Sequence, residues 1–397
     1  MDQALFSFVL PQVSKHFGWT LIERGQYLAL TFTLAGLSIA GLGVLTDRWG
    51  RKFVFSTSML VGSLFVALMF FANSTPILLI LRTLGFATGG IQSPVVGTII
   101  VEEAPPRYRG LLSGIIQIGY PIGWFIAATA IGWLIAHYGM EGWNGGAWRY
   151  AFLLSLLSVP YMIIIRLFLR ETKAFTAAQA AQKADVQTKP RFRELFGPKY
   201  RFRTAMLFGG EFFHVFAYGS TILLNAYFQE FRGWTPADAV KLVGLSYLVG
   251  SIGYVLAAFV GEFYLKRRNV SIIWAWLGSL AFTALIWLTS GFWPTMVTYC
   301  LMTFFFYGTT AVKFTFIAEN FPTRLRATGV TFSGSLAVNL GIAFGPLALS
   351  YAVQRFGGNW NLAYTLCGIL PIFVSGLFFL TLPAEAQGIK EDLKTAL

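Results

Sequence analysis

The chain has 397 residues, 56% of them hydrophobic and only 12% charged, with a formal net charge of +13. A soluble globular protein carries about 25% charged residues, so an ordinary soluble enzyme, a disordered chain and a nucleic-acid-binding chain are all excluded. The two cysteines, Cys300 and Cys367, lie inside apolar runs, so two packed thiols are expected, with neither a disulfide nor a metal site.

Crossing the hydrocarbon core of a bilayer as a helix takes about 20 residues. Stretches of that order occupy residues 25–46, 53–72, 77–101, 110–137, 150–169, 204–229, 240–263, 270–289, 293–317, 328–352 and 361–383. Ahead of them, Met1 to Ser14 is apolar but reaches only about 21 Å as a helix. It contains Pro11 and ends at the polar pair Lys15-His16. We read it as helix 1 with its first half missing from this numbering, because a signal peptide needs a basic leader and a small-residue cleavage site. The fold class is therefore all-α and membrane-embedded, with twelve helices in two pseudo-symmetric halves. The expected organisation is a six-helix half over 1–169, a linker over 170–203, a second six-helix half over 204–383 and a tail over 384–397. Two such halves suit a transporter with a central site between them.

Charge sets the orientation, since lysine and arginine are retained on the cytoplasmic side. With both termini inside, 21 of the 30 basic residues fall on cytoplasmic segments and six on outer ones. The three within spans are Arg82, Arg166 and Lys313. The basic excess is then a topology signal and a contact for anionic lipids, with no nucleic-acid partner. Nine of the cytoplasmic charges lie between Arg170 and Arg203, which reads as an amphipathic linker lying on the membrane surface. Arg166, near the end of helix 6, is expected to snorkel, and Trp19, Trp143, Trp234, Trp293 and Trp360 to form an interfacial belt.

The two halves repeat a motif. After helix 4 the chain reads Glu102-Glu-Ala-Pro105-Pro-Arg-Tyr-Arg109, and after helix 10 Glu319-Asn-Phe-Pro322-Thr-Arg-Leu-Arg326. Both are E-x-x-P-x-x-x-R, 217 residues apart. The proline ends the helix, the arginine reaches back to acceptors at a helix end, and the glutamate can pair with it, which makes a latch. The loop between helices 2 and 3 reads Gly43-Val-Leu-Thr-Asp47-Arg48-Trp-Gly50-Arg51-Lys52. Its glycines allow a tight turn, and its basic cluster answers nearby carboxylates. The equivalent second-half stretch, Gly261 to Arg268, lacks the aspartate.

With these motifs and twelve helices, the chain resembles the major facilitator superfamily over its whole length. The resemblance implies an inner gate formed by Asp47, Arg48, Arg51, Glu102, Arg109, Glu319 and Arg326. Arg82 stands 20 residues before Glu102 and Gln117 eight after Arg109, which is similar to the sugar-porter and metabolite:proton symporter groups. Trp148-Arg149 and Arg170-Glu171-Thr172 are similar too. Three helices depart from sugar porters: Glu211 and His214 stand where helix 7 has a glutamine pair, Trp124 where helix 5 has a glutamine, and Lys313 near where helix 10 has a tryptophan. The nearer resemblance is to symporters of organic acids.

Charges in a bilayer are costly and mark functional positions. The resemblance gives Asp2, on helix 1, a proton-coupling role with Arg82. Counted from the outer helix ends, Asp2 lies about 20 Å deep and Arg82 about 9 Å deep, so tilt and a long side chain have to close the gap. Glu211 and His214 are three residues apart on one helix face and are a second candidate for carrying the proton, or else part of a buried network with Lys313. Lys313 either attracts a substrate carboxylate or neutralises Glu211 or Glu319. Trp124, Tyr120 and Tyr218 lie on helices that line the cavity in this superfamily and can stack on a planar substrate. Arg82, Gln117, Trp124, Tyr120, His214, Tyr218 and Lys313 form the expected binding set.

The expected function is secondary active transport of a small organic solute, a carboxylate, by alternating access in symport with protons. The alternatives are a sugar or polyol symporter, an efflux antiporter and, from another class, a membrane-embedded enzyme. The antiporter would carry glycine-proline pairs, but Tyr120 separates Gly119 from Pro121. The enzyme would need a nucleophile and base, yet of His16, His137 and His214 only His214 lies within a span. No cofactor is expected besides the proton. The chain is expected to act as a monomer in a bacterial inner membrane.

Overall fold

The computed structural model describes residues 2–49, 51–90, 92, 109–168, 192–385 and 387–388. It is helical, with no strand among these residues. In chain order the helices are α1 (Asp2–Phe17), α2 (Leu21–Trp49), α3 (Lys52–Phe71), α4 (Thr75–Gly90), α5 (Gly114–Asn144), α6 (Ala147–Phe168), α7 (Arg201–Phe231), α8 (Pro236–Phe263), α9 (Arg267–Leu288), α10 (Phe292–Glu319), α11 (Thr328–Arg355) and α12 (Trp360–Leu380). Nine helices among the described residues, α3 and α5 to α12, are long and apolar enough to cross a membrane. Their outer faces carry bare aliphatic side chains, such as Leu167 at 73% exposure and Leu288 at 78%. Such a belt belongs against lipid, where a helix also satisfies its own backbone. Arg166 is exposed near the end of α6. The tryptophan belt is only partial: Trp293 faces outward, but Trp143 and Trp360 are buried, the latter against Tyr227 and Tyr364.

Among the described residues three helices begin at side-chain caps, α12 through Asn359 Oδ1, which accepts from Leu362 N at 3.2 Å. The Thr20 backbone N–H donates to Glu23 Oε2 at 2.7 Å, and Glu23 N–H returns a bond to Thr20 Oγ1 at 3.3 Å, a capping box. The Thr20 backbone bond, and then its hydroxyl, hold the exposed Glu23 carboxyl below the usual carboxylate range. This cap is intact at neutral pH and is lost as pH falls through the lowered value. At α8, Thr235 Oγ1 accepts from Asp238 N at 3.1 Å, and Pro236 takes the first helical position.

The chain divides into two compact units. One comprises residues 1–113 and 126–187, the other residues 114–125 and 188–397. The first turns of α5 thus count with the second unit, whereas the sequence reading divided the halves at the linker. Most of the linker lies outside the described residues. Its end is a single tight turn, Phe192–Phe196, whose Leu195 is buried against Leu207, Phe316, Phe321 and Phe379. A buried leucine here, where a surface-lying segment was expected, anchors the entry into α7. The tail from residue 389 on also lies outside the described residues.

In the first unit, Ser155 Oγ donates to the Ser63 carbonyl at 2.9 Å, and the Ser63 and Ser158 hydroxyls bond each other, tying α6 to α3. In the second unit, glycines set the helix spacing. Gly341 and Gly345 of α11 lie against the α7 backbone around Phe216. Gly250 and Gly253 of α8, with Gly278 of α9, form notches for the π-turn Thr303–Tyr307 of α10. Thr303 Oγ1 fixes that turn by donating to the Ser246 carbonyl at 2.6 Å. A Cβ on Gly278 would lie 2.7 Å from the Phe306 Cβ and backbone nitrogen. Gly278→Ala must therefore push α10 away, and we expect a loss of about 1–3 kcal/mol, the usual cost of overpacking. Gly132→Ala, where a Cβ meets nothing within 4 Å, should cost nothing. Thermal unfolding of both variants in detergent checks this, and equal melting temperatures would refute the notch.

Candidate functional site

Among the described residues, Arg82, Glu211 and Lys313 are the charged side chains that are fully buried, and His214 is buried with them. Three of the four come together in the second unit. Lys313 Nζ of α10 lies 3.1 Å from Glu211 Oε1 and 2.9 Å from Oε2 of α7. Of the two carboxylates expected as neutralising partners for Lys313, the structure pairs it with Glu211 and not Glu319. Bringing two ions out of water costs several kcal/mol each, and their attraction offsets this only at close range. Among the described residues, α11 and α12 add no other ion beside the pair. α11 approaches α7 through Gly341 and Gly345, and α12 through Ser375, Phe378 and Phe379, with Ser375 Oγ donating to the Gly210 carbonyl at 2.7 Å.

One turn along α7 from Glu211, His214 packs on Phe306 with ring centroids 4.7 Å apart. Its Nδ1 makes no hydrogen bond with any described residue. Beyond it, aromatic rings from four helices form a continuous cluster. Tyr218 packs edge-on against Tyr307 at 5.0 Å and near Tyr120 at 6.1 Å, and the Tyr120 and Tyr218 hydroxyls bond each other. Trp124 stacks on Tyr247 at 4.5 Å, with the rings 2° from parallel. Tyr247 in turn meets Tyr307 at 5.1 Å, and Tyr307 donates to Thr221 Oγ1 at 2.8 Å. Gln117 Nε2 reaches the Thr310 carbonyl at 3.5 Å, the limit of a hydrogen bond. Six of the seven expected binding residues thus lie in the second unit, Gln117 through its contact with the α10 backbone and the other five in the side-chain cluster and its ion pair. Tyr247, Phe306 and Tyr307 complete the cluster and were not singled out from sequence. Tyr247 and Tyr254 stand seven residues apart on α8, two turns on one helix face, which is the signal that could have found Tyr247.

Arg82, the seventh, lies in the first unit. Its guanidinium stacks over the Phe6 ring of α1, with Cζ 3.7 Å from the centroid, and Phe6 stacks on Tyr27 at 5.5 Å. The side chain of Asp2 lies outside the described residues, but α1 is helical from Asp2 onward. Phe6 is four residues further, about 6 Å of rise. The guanidinium thus reaches to within one turn of the Asp2 position, much nearer than counting along the helices gave.

The gate residues divide. Asp47 and Arg48 fall in the last turn of α2, Arg51 just after it, and Arg109 opens the short helix Arg109–Gln117. Their side chains, and Glu102 altogether, lie outside the described residues. In the second-half loop, Arg326 Nε donates to the Ala318 carbonyl at 3.1 Å, reaching back to a helix end as expected. Glu319 pairs with Arg267, which also bonds Glu262 at 2.6 Å. Glu262 and Arg267 were missed because their loop lacks the aspartate of the first-half motif, and a glutamate at another position takes the arginine. Arg203 secures the same loop through the Asn320 carbonyl at 2.6 Å. Arg267→Ala would leave two half-buried carboxylates facing each other. We expect a loss of about 1.5–3 kcal/mol, as for a hydrogen bond to a charged group, partly restored in Arg267→Ala/Glu262→Gln. Melting temperatures of the two variants test this, and equal values would mean that no repulsion is left behind.

A cavity of about 970 Å³ in the second unit lies elsewhere, between α7, α11 and α12. Its lining is apolar apart from Gln354 and Arg355. It lacks the convergent polar groups that make a solute site, so the chemistry belongs to the buried cluster.

Comparison with known proteins agrees with this architecture. The chain is 27% identical over 388 residues to the cis,cis-muconate transport protein of Acinetobacter baylyi, covering 93% of this chain and 89% of that one. It is 26% identical over 406 residues to the gallate transporter of Pseudomonas putida, covering 96% and 87%. Among solved structures, the inward-open xylose transporter XylE from E. coli matches with a TM-score of 0.74 at 16% identity, over 100% of this chain and 96% of that one, a likeness of fold. The Major Facilitator Superfamily profile matches residues 1–336. With that match over most of its length, and with twelve helices among the described residues, the chain belongs to the Major Facilitator Superfamily.

Proposed function

We propose that this transporter carries a small planar carboxylate, aromatic or unsaturated, by alternating access in symport with protons. The observation that carries this reading is a lysine, Lys313, buried at one end of an aromatic cluster built from Tyr120, Trp124, His214, Tyr218, Tyr247, Phe306 and Tyr307. A lysine with its counter-ion recognises an anion, and the rings recognise a flat apolar body. A neutral polyol has no need of a buried cation. Relatives named for muconate, gallate and 4-hydroxybenzoate bear the names of carboxylates. The setting we propose is a bacterial inner membrane, with both termini cytoplasmic and the protein working as a monomer among membrane lipids. The loops around Asp47, Arg109 and Arg326 form its inner gate.

Removing Lys313 alone would strand Glu211, so the informative variant is Lys313→Gln/Glu211→Gln. Its affinity for muconate, gallate or 4-hydroxybenzoate should fall by about 10- to 100-fold, the worth of a charged hydrogen bond. Its affinity for the corresponding neutral amide should hold. Calorimetric titration of acid and amide reads both, and an equal loss for the two would remove charge recognition.

For coupling we propose Asp2 with Arg82. Protonation of Asp2 would loosen its attraction to the guanidinium, and a motion that separates the two changes proton affinity. Asp2→Asn should then lower the number of protons carried per substrate, and with it gradient-driven uptake in proteoliposomes, and spare substrate-for-substrate exchange. Gradient-driven accumulation by this variant at the wild-type rate would sink the assignment.

A further inference from the structure

We infer that Glu211 is a displaceable stand-in for the substrate: it holds Lys313 while the site is empty and takes up a proton when a substrate carboxylate replaces it. This deepens the proposed function and rests on it.

The geometry sets the terms. Lys313 is 0% exposed and Glu211 1%, and the lysine sits almost evenly between the two carboxylate oxygens, at 3.1 Å and 2.9 Å. A substrate carboxylate meets Lys313 in the same way, because it presents the same two oxygens. Both carboxylates cannot be charged there at once. Two anions against one ammonium in a low-dielectric site leave one buried charge unmatched, which costs several kcal/mol. The balanced exchange is R–COO⁻ plus H⁺ entering together. The proton adds to a Glu211 oxygen, the Glu211–Lys313 ion pair opens, and Lys313 donates to the substrate carboxylate instead. The charge of the site is zero before and after.

The surroundings favour Glu211 as the acceptor. The titratable groups facing it are Lys313 on α10 and His214 on its own helix, whereas α11 and α12 present glycine, serine and phenylalanine. The phenols of Tyr218, Tyr247 and Tyr307 belong to the neighbouring cluster and ordinarily ionise about five to six pH units above a carboxyl. His214 lies one turn from Glu211, and its Nδ1 has no hydrogen bond to a described residue. A buried ion pair gives little stability over an apolar pair, so stability alone does not account for this one. A cation whose counter-ion a proton can remove is what an anion site needs.

The test is carboxylate affinity as a function of pH, with 4-hydroxybenzoate as the probe on purified full-length protein. In the wild type, affinity should fall tenfold per pH unit on the alkaline side, and binding should take up one proton per ligand in weakly buffered solution. In Glu211→Gln, which mimics the protonated side chain, affinity should stay high and flat over the same range, with no proton uptake from this site. Should Glu211→Gln fail to fold, Glu211→Asp decides: a displaced midpoint of the pH dependence supports the exchange, and an unmoved midpoint overturns it. A wild-type slope retained in Glu211→Gln likewise overturns it and leaves acid recognition by Lys313 standing. A wild type that binds the amide as tightly as the acid overturns the substrate reading itself.

Discussion

A charge in hydrocarbon has to be met by another charge, and around Glu211 and Lys313 the second unit is organised to meet that condition. The two residues come from helices separated by 102 positions in sequence. They pair at hydrogen-bond distance only because α7 and α10 are held at fixed depth and rotation. A shift of about one ångström would stretch the ion pair while leaving both ions buried. The packing near the pair is accordingly close. Glycines bring α11 onto α7, and others seat the π-turn of α10 against α8 and α9.

The same glycine notches place the aromatic cluster. Phe306 and Tyr307 lie in the π-turn, whose extra residue rotates the following part of α10 relative to a regular helix. That places Phe306 on His214 and Tyr307 between Tyr218 and Tyr247. Glycine spacing, helix packing, ring positions and the ion pair therefore form one chain of dependence, and an anion-recognising site stands at its end. Arg82, stacked over Phe6 in the first unit, is a second buried cation held by a different device, an aromatic face.

Much of this was legible in order of residues alone. Composition established a membrane protein, since 12% charged residues cannot clothe a soluble fold of this size. Long apolar runs marked the helices, because spanning hydrocarbon demands both length and apolarity. The repeated E-x-x-P-x-x-x-R loops and the Gly43–Lys52 motif pointed to the superfamily. Six binding candidates were picked out as polar or aromatic residues inside spans, where such residues are costly and draw notice.

What sequence could not determine was partnership. Lys313 had Glu211 and Glu319 as possible partners within the protein, and helix rotation selected Glu211. Glu319 was expected to face Arg326 and instead pairs with Arg267, from a loop whose motif is degenerate. Trp143 and Trp360 read as interfacial but turn inward. Tyr247, Phe306 and Tyr307 were hidden among many aromatic residues, since a ring on an apolar helix looks the same whether it meets lipid or a neighbouring helix. Sequence by itself determined which residues lie in the membrane, because transfer from water depends on each side chain's own chemistry. Tertiary structure alone decided which of them meet, because contact depends on the rotation and spacing of helices far apart in the chain.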